Sequence, residues 1–134
     1  MKYILDTHVW IWALESPEKM PRDILHVLHR AENLPFGLSA ITPWEAAKKE
    51  SLGRLMFSQP MQTWLSKAAR EPFISLLPLT TDIAYESNHL PGTFHRDPAD
   101  QMIVATARLH DLTLITCDRN ILSYHHVRTL WGTH

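Results

Sequence analysis

Four short runs, Lys2–Leu5, Phe36–Ile41, Ile74–Leu79 and Leu112–Thr116, alternate with segments of helical periodicity, and this alternation constrains the chain most. Each run is mostly apolar, as strands buried on both faces of a parallel sheet are. A weaker fifth run spans Val127–Trp131. Between them, Ile24, Leu25, Leu28 and Ala31 recur at helical spacing after Pro21, and Pro98 opens a helix carrying Met102, Ile103, Ala105, Thr106, Ala107 and Leu109. Shorter helices are predicted at Thr7–Leu14, Pro43–Ser51, Pro60–Arg70 and Thr81–His89. The pattern predicts an α/β domain around a mainly parallel sheet. No repeat, low-complexity tract or boundary divides it, so one domain over residues 1–134 is expected.

No apolar run approaches the ~20 residues that cross a bilayer, and Asp6 follows the start too closely for a signal peptide. A soluble, cytoplasmic protein with no membrane partner is expected. The one cysteine, Cys117, has no second thiol for a disulfide or a zinc site and reads as core packing. Thirteen basic residues against 14 acidic ones give a formal charge of -1, which excludes a general basic field for polyanions. A polyanion must be held locally. The nine histidines are scattered, and His26 and His29 sit in an amphipathic helix, where surface or packing roles are the simpler reading.

The acids are more informative. Asp6 ends the first predicted strand, Asp118 follows the fourth, Glu45 lies in the first turn of the helix after the second, and Asp97 and Asp100 flank the start of the Pro98 helix. In an open parallel sheet these ends share one edge, where ligands bind at the reversal of strand order. Carboxylates gathered there without basic partners repel and resist ionisation unless a cation neutralises them. Hard oxygen donors without cysteine or an obvious histidine set favour Mg2+, with Mn2+ as the alternative. Such an ion activates water and offsets charge on a phosphodiester. Each acid also has a structural reading. Thr42-Pro43-Trp44-Glu45 resembles a capping box, Asp97 an N-cap before Pro98, and Asp6 and Asp118 turn or cap residues. Asp82 also follows a strand and opens a helix; two strands from the centre of the sheet it would lie ~10 Å away. The loop Pro91–Arg96 is the expected mobile or substrate-facing stretch.

Four ordered blocks carry a resemblance over nearly the whole chain: Tyr3-Ile4-Leu5-Asp6-Thr7-His8, Ser39-Ala40-Ile41-Thr42-Pro43-Trp44-Glu45, His95-Arg96-Asp97-Pro98-Ala99-Asp100 continuing to Ala107, and Leu114-Ile115-Thr116-Cys117-Asp118. The chain resembles PIN domains, and more narrowly the VapC-type toxins of bacterial toxin–antitoxin pairs. The resemblance implies a PIN-like three-layer sandwich whose sheet has order 3-2-1-4-5, with helices on both sides. That order moves Asp82 outward. It implies an acidic set of Asp6, Glu45, Asp100 and Asp118, with Asp97 as ligand, supporting group or cap. Thr7 and Thr116 would support the ligands, and Arg96, Arg119 and Lys48 are candidates for phosphate contacts, against plain surface charge.

The activity implied is that of a Mg2+-dependent endoribonuclease. Asp6, Asp100 and Asp118 would hold the metal, and Glu45 would position the attacking water, leaving 5′-phosphate and 3′-hydroxyl ends. The implied partners are an RNA substrate, a VapB-like antitoxin that covers the acidic cleft, operator DNA reached only through that antitoxin, and a second copy of the chain. Exposed members of the set Trp10, Trp12, Trp44, Trp64 and Trp131 are candidates for the homodimer contact. Two alternatives remain open at this point. One is a phosphatase with an aspartyl nucleophile, although His8 stands where that chemistry wants a second acid. The other is a non-catalytic metal-binding or protein-binding module whose acids are caps.

Overall fold

In the computed structural model, which describes residues 1–70 and 72–132, strands β1 (Tyr3–Leu5), β2 (Phe36–Ser39), β3 (Ile74–Leu77), β4 (Thr113–Ile115) and β5 (Thr129–Leu130) pair in the order β3-β2-β1-β4-β5. Every pairing is parallel. Among the described residues, seven α-helices flank the sheet: α1 (Thr7–Glu15), α2 (Arg22–His29), α3 (Ile41–Ser51), α4 (Met61–Ala68), α5 (Thr81–Ser87), α6 (Pro98–Leu109) and α7 (Arg119–Leu122). The expected topology is therefore the observed one, with β1 at the centre.

Alternation along each strand divides the interior into two cores. Leu5, Phe36, Leu38, Ile74 and Ile115 face Val9, Trp10, Ile24, Leu28 and Trp64, from α1, α2 and α4. Ile4, Leu77 and Leu114 face Ile103, Val104 and Ala107 of α6, together with Ile121 and Tyr124. Trp10 is fully enclosed and packs edge-on against Trp64 at 4.8 Å, while its indole nitrogen donates to the Ala68 carbonyl at 2.9 Å. Gly37 pairs with Ile4 at the middle of the sheet, and a Cβ there would meet Leu77 Cδ1 at 3.0 Å. A glycine suits this position because the side chains of Leu77, Met1 and Leu112 press close to β2.

Several boundaries differ from expectation. The strands are shorter, because the chain leaves the ladder as soon as each crossing helix can start. α3 begins at Ile41, with Ala40 rather than Thr42 at its N-cap. The predicted capping box does not form: Thr42 is inside the helix and fully buried, and Glu45 lies beyond the first turn, with its carboxylate turned to α1. Pro43 gave a misleading start signal, since a proline is tolerated anywhere in the first helical turn, where its missing N–H costs nothing. The loop 91–96 is tied down rather than free. Tyr124 Oη donates to the Pro91 carbonyl, Phe94 packs on Tyr124 at 4.8 Å, and Gln101 Nε2 donates to the His95 carbonyl at 3.1 Å. Cys117 is half-buried at the carboxyl edge of β4 instead of in the core, and burial pushes its thiol pKa up. No helix among the described residues is long and apolar enough to cross a membrane.

Candidate metal centre at the carboxyl edge of the sheet

The carboxyl ends of β1 and β4 adjoin, since the Asp6 N–H donates to the Ile115 carbonyl at 3.0 Å. Asp6 therefore leaves the sheet at its middle and caps α1, with Oδ1 accepting from the Thr7 N–H at 2.8 Å. Its Oδ2 accepts from Thr116 Oγ1 at 2.7 Å, and that hydroxyl accepts from the Asp118 N–H at 3.0 Å. The Thr116 hydroxyl thus fixes two acids at once. Asp118 caps α7, with Oδ1 accepting from Asn120 N at 2.8 Å and Ile121 N at 3.2 Å. Thr7, fully covered, donates through its hydroxyl to Glu45 Oε1, which joins α1 to α3. Lys49 Nζ approaches Glu45 Oε2 at 3.7 Å, one turn along the same helix.

Asp97 caps α6 as expected, with Oδ1 accepting from the Asp100 N–H at 3.0 Å. Asp100 then projects from the first turn and becomes the hub. A carboxylate oxygen of Asp100 lies within 4.8 Å of oxygens of Glu45 and Asp97, which also share that spacing with each other. It belongs likewise to a second group of that size, with Asp118 and a ring nitrogen of His95. Ligands on one Mg2+ at ~2.1 Å stand at most about 4.2 Å apart, so either group closes on an ion with small side-chain movement. Asp6 belongs to neither group. It forms the floor, 4 % exposed, with both oxygens already accepting a hydrogen bond and further lone pairs unused.

The electrostatics reflect this crowding. Burial first, and then the charges of Asp6, Asp97, Asp118 and Glu45, push the Asp100 pKa up to about 8. Burial raises Asp6 to about 6 against the hydrogen bonds from Thr116 and Thr7, with Glu45 and Asp118 adding to the rise. The basic groups at hand are Lys49, 3.7 Å from Glu45 Oε2, and His95. His95 Nε2 sits 3.0 Å from Asp100 Oδ2 without the alignment of a hydrogen bond, and that nitrogen is enclosed with no other polar partner. Proximity without alignment leaves the ring nitrogen available to a third party between the two groups. Carboxylate oxygens with one imidazole suit a hard divalent cation.

His95 and His8 are the two neighbours that sequence reasoning passed over. His95 was submerged in a block read for its acids, and only the turn into α6 folds its ring back over Asp100. His8 follows Thr7 on α1, and burial, with Lys49 next, lowers its pKa. Arg96 and Arg119 are exposed, and Arg96 lines a separate polar groove with Asn88, Thr93 and Gln101 that contains none of these acids. Asp82 is exposed in α5, beyond the edge strand β3. A larger cleft of about 530 Å3 lies elsewhere, but its charges are already matched, Arg108 with Glu86 at 2.9 Å and Arg128 with Asp111 at 2.8 Å. Among the described residues, the groups of acids close enough to share one ion lie at the sheet edge.

The model of the PIN domain matches residues 3–126. This chain belongs to the PIN-domain family. Among PIN relatives, Ribonuclease VapC22 of Mycobacterium tuberculosis (strain ATCC 25618 / H37Rv) is 31% identical over 130 residues, covering 96% of this chain and 97% of the relative. The fold is also similar to that of the solved DNA-bound VapBC of Salmonella typhimurium, with TM-score 0.70, 21% identity and 97% of each chain covered. VapBC2 of Rickettsia felis, bound to a promoter DNA fragment, gives TM-score 0.69 at 16% identity, over 98% of this chain and 100% of that one. At those identities the structures speak for the PIN fold alone.

Proposed function

We infer that the chain is a divalent-metal-dependent endoribonuclease of the VapC type, the toxin of a toxin–antitoxin pair. The observation that carries this is the convergence on Asp100, whose carboxylate lies within 4.8 Å of Glu45 and Asp97 oxygens on one side and of Asp118 and a His95 ring nitrogen on the other, and whose pKa burial and the neighbouring acids raise to about 8. The 31% identity to a named ribonuclease over almost the full length supports the reaction class.

We assign Asp6, Asp100 and Asp118 to the metal, with Asp97 and Glu45 as further ligands, and Mg2+ as the ion, Mn2+ being the alternative. When bound, the ion supplies positive charge against the phosphodiester oxygens and activates water. The chain's own contribution is placement. Thr116 fixes the Asp6 and Asp118 carboxylates, and Thr7 fixes Glu45, so that the acids are preorganised before substrate arrives. Glu45 has one oxygen bound by Thr7 and the other near Lys49, and it accepts the proton of the water that attacks phosphorus. The 3′-oxygen departs opposite, which leaves 5′-phosphate and 3′-hydroxyl ends. No step uses the ribose 2′-hydroxyl, so preference for RNA rests on binding. The partners follow from the same reading: a VapB-like antitoxin over the acidic edge, operator DNA through that antitoxin, and a homodimer. The VapBC structures from other organisms support the antitoxin.

Cleavage of labelled single-stranded RNA with Mg2+, with EDTA, and with Asp6→Asn protein tests the assignment. The expected result is cutting that needs metal, leaves 5′-phosphate and disappears in Asp6→Asn. Equal behaviour of wild type and variant, with Mg2+ leaving the melting temperature of both unchanged, refutes it.

A further inference from the structure

Trp44 is out of place for a tryptophan. Trp10 and Trp64 are buried, yet Trp44 is 59 % exposed beside the carboxylate centre. It shares one face of α3 with Ile41 and Lys48, and Leu52 at the C-cap extends the line at the same three- to four-residue spacing. That face forms one wall of a groove of about 350 Å3, and Pro98, Ala99 and Met102 of α6 form the other. Lys48 and Arg54 stand at the rim, and Glu45 and Asp97 lie along the same groove. The walls are thus mostly apolar, the rim is cationic, and one end opens onto the acids.

We propose that this groove seats an unpaired base of single-stranded RNA on the Trp44 indole, with Lys48 and Arg54 holding the neighbouring phosphates. The proposal rests on the nuclease reading for the identity of the polyanion. Two observations select RNA as occupant. The groove is continuous with the metal centre, so a strand cut there must pass along an adjoining wall. Its rim also supplies cations where a formally negative chain lacks a general basic field. An indole face accepts any base, and a flanking cation accepts the backbone, which together hold single strands with little sequence demand. The groove requires an unstacked base, so single strands and loops bind in preference to duplex.

Binding is measured by fluorescence anisotropy of a labelled single-stranded RNA of about twelve nucleotides, using Asp6→Asn protein so that cutting does not intervene. Kinetics are measured in the otherwise wild-type chain. Trp44→Ala is expected to weaken binding and raise KM by about tenfold, with kcat within about twofold, and Trp44→Phe to recover most of the loss. Lys48→Ala and Arg54→Ala each lower the slope of log affinity against log salt by about 0.7. An abasic site moved along the RNA costs the Trp44 protein about tenfold at one position and costs Trp44→Ala nothing more. Lys48→Glu carries the test if Trp44→Ala melts early.

Unchanged RNA affinity in a folded Trp44→Ala protein overturns the proposal, as does equal affinity for duplex or no RNA binding at all. A fall in sedimenting mass in Trp44→Ala with unchanged RNA affinity makes the groove an interface between copies and likewise overturns it. Cleavage that needs Asp6 but ignores Trp44 sinks the groove alone. Trp44-dependent binding without any cleavage sinks the nuclease reading and leaves the groove standing.

Discussion

Without metal, Asp100→Asn should make the protein more stable, by an amount that grows with pH. The carboxyl moves from its ordinary value of 3.8 to about 8 in the folded chain, through burial and the charges of Asp6, Asp97, Asp118 and Glu45. A folded value above the unfolded one means that the folded state holds the proton more tightly. The stabilising effect of that proton is complete below the unfolded value. It is lost as pH climbs from about 4 to about 8, and nothing further changes above that. Four pH units at 1.36 kcal/mol each give an upper bound of about 5 kcal/mol. Water still reaches the side chain, which is 14% exposed, and a discount to roughly a third leaves about 2 kcal/mol. At roughly 4 °C per kcal/mol for a chain of this size, the wild type in EDTA should lose about 8 °C more than Asp100→Asn between pH 4 and pH 8. Near-ultraviolet circular dichroism melts of both proteins across that range provide the measurement. Adding Mg2+ at pH 8 should reverse the ranking. An ion present at a hundredfold its Kd stabilises by about 2.7 kcal/mol, and only the wild type keeps the hub carboxylate. Parallel pH curves for the two proteins in EDTA would refute the claim that unmatched charge is concentrated on Asp100.

Thr116→Val keeps the shape of a fully buried side chain but removes the hydroxyl shared by Asp6 Oδ2 and the Asp118 N–H. It should cost about 1–3 kcal/mol in urea unfolding and about 10- to 100-fold in Mg2+ affinity by calorimetry, with secondary structure intact. Gly37→Val places a Cβ 3.0 Å from Leu77 Cδ1 and 3.1 Å from Met1 Sδ, and adds two methyl groups in the middle of the sheet. About 1–3 kcal/mol should be lost in urea unfolding, and a variant as stable as wild type would show that Leu77 and Met1 pack less tightly over Gly37 than described.

The strand order and the convergence of the acids were legible because both depend on patterns that survive without coordinates: apolar runs of strand length, and polar residues where those runs stop. Local signals failed where two of them competed. Pro43 and Glu45 together imitate a capping box, but Ser39 Oγ already accepts from the Ile41 N–H at 3.3 Å, and the helix starts two residues before the proline. Glu45 was nonetheless a sound candidate, since one further turn brings its carboxylate to Thr7. His95 was not legible as a neighbour of Asp100, five residues on. Its place depends on the turn that Asp97 and Gln101 close around it, and no periodicity encodes that turn. Trp44 was visible only as one of five tryptophans, because exposure is a property of the packed helices and not of the residue.

Helix capping and metal holding first looked like competing explanations of the same acids, and the geometry shows why they coincide. An N-cap aspartate satisfies backbone N–H groups with one oxygen, which fixes the rotamer and leaves the second oxygen pointing away from the helix. Asp97 and Asp118 do this with Oδ1 alone. A cap at a strand's carboxyl end therefore supplies an anchored oxygen at the sheet edge for no additional ordering entropy. Asp6 differs because Thr116 claims its second oxygen, which leaves it the most buried of the acids and the least free to move. Asp100 has the opposite character. It caps nothing and stands within reach of both groups of donors, and it bears the largest rise in pKa. The caps set the geometry of the edge, and Asp100, which like Glu45 has no capping duty, accumulates the charge that a cation would relieve.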